Sequence, residues 1–134
     1  MTITEQMYSI LAGLSGLTAL VPATRILPPG NWQNIARPYI VHFPVAVVPT
    51  ITHDDFSQAL QVWEFYQISV FCETFQSGDA IASYISRNLP GNYSGTQIFL
   101  RAGTPFYQGA RPLDERLTTQ VHHFVLEFRV AEAL

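Results

Sequence analysis

The chain has 134 residues, enough for one domain with a real core. Apolar residues make up 48% of it and charged residues 13%, the cations are seven Arg with no Lys, and the formal charge is −3. That balance excludes sequence-independent nucleic-acid binding, which needs a basic face. A single cysteine, Cys72, excludes an intrachain disulfide and a cysteine-based zinc site. The charge content is well under the usual share of about a quarter, so partner surfaces are expected to cover part of the exterior, and Arg, flat and weakly hydrated, suits such surfaces.

The first apolar stretch, ILAGLSGLTALVPA from Ile10 to Ala23, invites comparison with a signal sequence or a membrane anchor. The residues before it, MTITEQMYS, carry Glu5 and no Lys or Arg, whereas a signal peptide needs a positive leader. The run is also too short to span a bilayer and is interrupted by Ser15, Thr18 and Pro22. Thr2 and Glu5 have capping-box spacing. Ile3, Met7, Ile10, Leu11 and Leu14 then recur at helical spacing, while Gly13 and Gly16 oppose continuation. The stretch therefore reads as a short amphipathic helix, then a loose turn with Leu17, Leu20 and Val21 packed inward.

Arg25-Ile26-Leu27 is a short extended piece ended by Pro28-Pro29-Gly30. RPYIVHFPVAVVP predicts a strand with Tyr39, Val41, Phe43 and Val45 on one face, bulged or at an edge because Pro44 has no N–H. VPTITHDDFSQ is a polar connection. QVWEFYQISVFCET predicts a long strand, with Tyr66, Ile68, Val70 and Cys72 on one face. Its other face, Trp63, Phe65, Gln67, Ser69 and Phe71, is apolar enough to need cover. Ser77 is placed to cap a helix with Asp79 in its first turn and Arg87 in its last. Ile81, Tyr84, Ile85 and Leu89 form its buried stripe, and Pro90-Gly91 ends it. GTQIFLRA is a further strand, TPFYQGARPLDERLTT a second polar excursion, and QVHHFVLEFRVA a last strand with His122, Phe124, Leu126, Phe128 and Val130 on one face. The outline is an α+β fold over residues 1–134: an antiparallel or mixed single-layer sheet with two helices on it, in the order α-β-β-α-β-β. Its core is expected to rest on Tyr39, Val41, Tyr66, Ile68, Val70, Phe124, Leu126 and Phe128, with Cys72 a small core residue.

No stretch carries specific chemistry. There is no phosphate-cradling glycine loop and no GxSxG. His122 and His123 are adjacent on a strand, so they point to opposite faces and do not share an ion; His122 reads as a hydrogen-bonded core histidine. His53-Asp54-Asp55 is the most metal-like cluster but sits in a loop, where a solvated turn is the common outcome. Asp114-Glu115-Arg116 offers an acid–base pair without a nucleophile, and the neighbouring Arg favours ionised acids. Asn92-Tyr93-Ser94 has the glycosylation pattern, which is empty without export. Trp32 and Trp63 read as core or interface anchors. No catalytic, metal or cofactor residue is assigned.

The order of elements resembles the small phage tail-completion proteins, also called tail terminator or tail-to-head joining proteins. The resemblance rests on the N-terminal helix and LSGLTALVPATRILPP, with its Leu-Thr-x-Leu turn, Arg-Ile strand and proline. It continues through ARPYIVHFPV, through QVWEFYQISVFCET followed by SGDAIASYISRNL, and through the closing ERLTTQVHHFVLEFRV. It covers nearly the whole chain; VPTITHDDFSQ and GTPFYQGARPLDER depart from it. It implies a non-enzymatic virion protein, assembled in the host cytoplasm. That protein forms a ring, typically of six copies, on the head-proximal end of the tail tube. The ring stops tube growth and offers a docking face to the head connector or neck protein. No membrane, sequence-specific nucleic acid or cofactor enters this role. Another neck or tube subunit, or a small ligand-binding or enzymatic α+β protein, are the other readings. The two polar loops are the expected interface, with His53, Asp54 and Asp55 from one and Arg111, Asp114, Glu115 and Arg116 from the other.

Overall fold

A computed structural model describes residues 2–30, 36–51, 59–101, 103–112 and 120–133; within these, the side chains of 46–51, 59–64, 111, 112, 120, 132 and 133 are left aside. Helix α1 spans Ile3–Ala12 and begins with the expected capping box. Glu5 N–H donates to Thr2 Oγ1 at 3.2 Å, and Thr2 N–H donates to Glu5 Oε2 at 3.3 Å. Its buried stripe is Ile3, Met7 and Leu11, with Ile10 and Leu14 partly buried. A one-turn helix, α2 (Ser15–Thr18), replaces the expected loose turn. Leu17 and Val21 pack inward as expected, but Leu20 is exposed. A Cβ on Gly16 would lie 2.4 Å from the Tyr84 ring, so glycine lets α2 approach the next helix closely.

Strands β1 (Ile26–Leu27), β2 (Tyr39–Ile51) and β3 (Ala59–Cys72) follow, then α3 (Phe75–Asn88), β4 (Gly91–Tyr93), β5 (Thr96–Leu100), β6 (Phe106–Pro112) and β7 (Gln120–Ala133). Among the described residues these seven strands form one mixed, curled sheet in the order β1-β2-β3-β7-β5-β4. Strand β6 joins the same side of β7 as β5. Residues Val121–Val125 of β7 pair with β6, and Phe128–Glu132 with β5. The β1–β2 pair is parallel and the rest are antiparallel. The fold is α+β as expected, with two main helices, but the expected α-β-β-α-β-β order is corrected.

Two of the added strands have physical reasons for escaping the sequence reading. Strands β4 and β5 make a hairpin whose two-residue turn is Ser94-Gly95, both at positive φ (53° and 95°), a turn that suits the sheet's twist. Strand β6 lies inside the presumed polar excursion. Its pattern is broken by a register shift between Tyr107 and Gly109, and Gly109 has φ 117°.

Helix α3 starts earlier than expected. Thr74 is its cap, with Ser77 N–H donating to Thr74 Oγ1 at 3.1 Å, so Ser77 is inside the first turn and Asp79 beyond it. Ile81, Ala82, Ile85 and Leu89 are buried, and Tyr84 is partly so. Helix α1 packs on β1 and β2, and α3 on β3 and β7, so one hydrophobic cluster joins the helices to one face of the sheet.

That face carries Tyr66, Ile68, Val70 and Cys72 from β3 and Phe124, Leu126, Phe128 and Val130 from β7, all buried and all as expected. Burial pushes the Cys72 thiol up to about 11, the state of an unreactive core residue. Strand β2 is the correction. Among its described side chains Ile40 and His42 are fully buried, Tyr39 and Val41 are half-buried, and Val45 is 57% exposed. Ile40 pairs with Val70 and His42 with Ile68, and directly opposed residues share a face. Apolar residues on both faces of β2 left its periodicity undecided, and the buried polar residue is the one that faces the core. The irregularity expected at Pro44 is present, as register shifts between Pro44 and Val47.

Candidate interaction surfaces

The expected interface residues His53, Asp54, Asp55, Asp114, Glu115 and Arg116 lie outside the described residues. Arg111 lies on β6 with its backbone opposite Val121, and its side chain is also outside them. The anchors of the two loops are described. Residues 52–58 join Ile51 and Ala59, which pair with each other. Residues 113–119 join Pro112 and Gln120, which also pair. Leu60 pairs with Ala133 and Cys72 with His122, so the two anchors sit at opposite ends of the β3–β7 ladder. At about 3.3 Å per residue, roughly a dozen residues separate them by about 40 Å. The structure therefore brings the two loop anchors of one subunit nowhere near each other.

The helix-free face is aromatic and charged. The Phe71 ring stacks on Tyr39 at 4.9 Å and on His123 at 4.4 Å. Arg37 reaches Glu73 at 3.2 Å. The Arg101 guanidinium lies 4.1 Å from the Phe65 ring centroid, a cation–π contact, with its Nε 3.8 Å from Glu127. These contacts supply the cover that the second face of β3 requires. His122 and His123 do face opposite ways, and His122 is half-buried rather than a core residue.

Two features stand on the helix-bearing side. On the flank of β6, Phe75 (43% exposed) and Tyr107 (42% exposed) form an aromatic patch. Their rings meet edge-on at 5.1 Å, and both contact Phe124. Tyr107 Oη and His122 Nδ1 are hydrogen-bonded at 2.7 Å. On the flank of β1, a cleft of about 330 Å³ opens between α1 and β1, with Thr4, Tyr8, Ile26 and Pro28 on its walls and His42 as its floor. His42 Nδ1 is 2.7 Å from Tyr66 Oη, and Thr4 also hydrogen-bonds that phenol. The three groups form one buried hydrogen-bonded chain, Thr4–Tyr66–His42, in which the His42 tautomer sets which group donates. Among the described residues Nε2 is buried with no hydrogen-bond partner. Burial lowers the His42 pKa to about 4 and raises that of Tyr66 well above its ordinary value. Lone polar residues in apolar strands were the signal for this site, and a histidine one residue off the expected face concealed it.

A larger groove of about 620 Å³ lies between α1 and the β4–β5 hairpin. Gln6, Ser9, Asn92, Ser94 and Thr96 give it amides and hydroxyls, and no acid or histidine is among its lining residues. No group of three or more His, Cys, Asp or Glu residues is placed to hold a metal ion among the described residues. No helix among them is long and apolar enough to cross a membrane.

No family model matches the chain, and no curated protein does. Among solved structures, the chain is similar to a component of the virion of a native gene transfer agent particle. The TM-score is 0.64 and the identity 22%, and the alignment covers 98% of this chain and 95% of that one. The shared fold therefore runs over the full length of both chains.

Proposed function

We propose that this protein is a structural component of a phage-like virion, and within it the ring that terminates the tail tube. The observation that carries the reading is the full-length structural similarity to a gene transfer agent virion component. The quoted stretches that resemble tail-completion proteins support the finer reading. The low charge content and exposed aromatic side chains suit a subunit covered by neighbours. In this role the protein sits at the head-proximal end of the tail. Its partners are further copies of itself, the tube protein below and the head connector above.

A closed ring needs two different patches per subunit, because a head-to-tail contact repeats around an axis. The loops 52–58 and 113–119 leave opposite ends of the long strands, where tube and connector would stack above and below the ring. Rotation about the ring axis keeps each end of the strands level, so the expected pairing of Asp54 and Asp55 with Arg111 or Arg116 is not made within a subunit or between neighbours in one ring; in this reading Asp54 and Asp55 contact the partner stacked at their own end. Purified protein added to polymerising tube subunits should arrest tube growth. Asp54→Ala with Asp55→Ala should leave the melting temperature nearly unchanged, because surface substitutions stay within about 0.5 kcal/mol, and should weaken capping. Tubes that grow unaltered with the parent protein present would contradict the reading.

A further inference from the structure

Helix α1 covers the core with open space on both of its sides. The cleft of about 330 Å³ separates it from β1, and the groove of about 620 Å³ separates it from the β4–β5 hairpin. It is held by Ile3, Met7 and Leu11 on its buried stripe and by the Thr4 link to Tyr66. Helix α3, by contrast, is seated directly on β7, with Gly78 against the Phe124 ring. Of the two main helices, α1 is therefore the one with room to move.

Beneath α1 lies a group that the closed fold does not accommodate once protonated. His42 is 0% exposed, and its Nδ1 is hydrogen-bonded to Tyr66 Oη at 2.7 Å. Either neutral tautomer keeps that bond, because a phenol both donates and accepts. The imidazolium carries an N–H on both nitrogens. Its Nδ1–H still has Tyr66 as acceptor, but its Nε2–H has none among the described residues. A buried, charged donor left unpaired is costly. The titratable groups facing the ring are Tyr66 from β3 and, at the cleft, Glu5 and Tyr8 from α1; β1 presents Ile26, followed by Pro28. Glu5 is exposed and bonded to the Thr2 N–H, and water weakens its attraction for a charge beneath. The sealed ring therefore resists a proton, and its folded pKa lies at about 4. Lifting α1 opens the cleft to water, which satisfies both N–H groups. We infer that α1 is an acid-released cover, whose opening from β1 and β2 exposes His42 to protonation while the sheet under α3 stays folded. The device is independent of the ring reading.

Hydrogen exchange of the full-length chain, corrected for the rate of free amides at each pH, tests it. With a pKa of about 4 when closed and 6.5 when open, the opening of α1 should rise about eightfold from pH 7 to pH 5.5, and about fiftyfold by pH 4.5. The amides of Ile3–Ala12 should lose protection by these factors. At every pH they should be less protected than amides 124–130 of β7, and their exchange should depend less on urea, as a local opening does. His42→Gln should remove the pH dependence. Glu5→Gln, which keeps an acceptor for the cap, should retain it. The parent alone also decides, because carboxylates scarcely titrate between pH 7 and pH 5.5. Constant α1 protection over that range would overturn the inference. So would α1 and β7 amides sharing one protection and one urea dependence, which would mean that α1 opens only when the whole fold does. A pH dependence that survives in His42→Gln, or that vanishes in Glu5→Gln, would overturn it as well.

Discussion

Two residues show how finely the packing is set. Gly78 on α3 sits against Phe124, and a Cβ there would lie 2.4 Å from the Phe124 ring. Helix α3 lies close on β7 because that Cβ is missing. Gly78→Ala should destabilise the fold by about 1–3 kcal/mol despite its better helix propensity, as overpacking does; denaturant titration measures it. His42 gives a pH dependence with a definite sign. Its folded pKa is about 4 against an ordinary 6.5, so the unfolded chain binds the extra proton between these values. Stability from this group is fully present above about pH 6.5 and falls as pH drops toward 4, by up to about 3 kcal/mol. Urea unfolding at pH 7 and pH 4.5 should show the fall, and His42→Gln should flatten it. The parent and His42→Gln falling equally would assign the dependence elsewhere.

At the scale of elements, β7 is the central strand, pairing with β3 on one side and with β5 and β6 on the other. Leu126 is fully buried at its middle, opposite Ile68. Leu126→Ala should cost about 2–5 kcal/mol, read as a lowered denaturation midpoint; a variant as stable as the parent would place the strand in the wrong register. This strand and β3 were legible because strict alternation over many residues leaves one consistent face. The first helix was legible because Thr2 and Glu5 announce its start. Strand β2 was not, since Tyr39, Val41 and Phe43 alternate with Ile40 and His42, and only pairing with β3 decides which set faces the helices. Strand β6 was hidden by Gly109 and its bulge, and β4 is too short to carry a period.

For the whole molecule, the fold class and the likeness to a virion component were within reach of the sequence, because the stretches that carry the resemblance span the chain, although the expected order of elements was not met. The surfaces were less so. Loop residues such as Asp54 and Arg116 advertise polarity but not partners. The cleft over His42 and the Tyr107 patch come from elements far apart in sequence, joined only by the sheet's topology. In the proposed role the curled sheet presents its surfaces to further copies of the chain in a ring that ends the tail. The most direct measurement is the length distribution of tails, by electron microscopy, in particles made without this protein. The account predicts over-long tubes of irregular length with no heads attached. Tails of normal, uniform length would contradict it and assign the protein to another part of the particle.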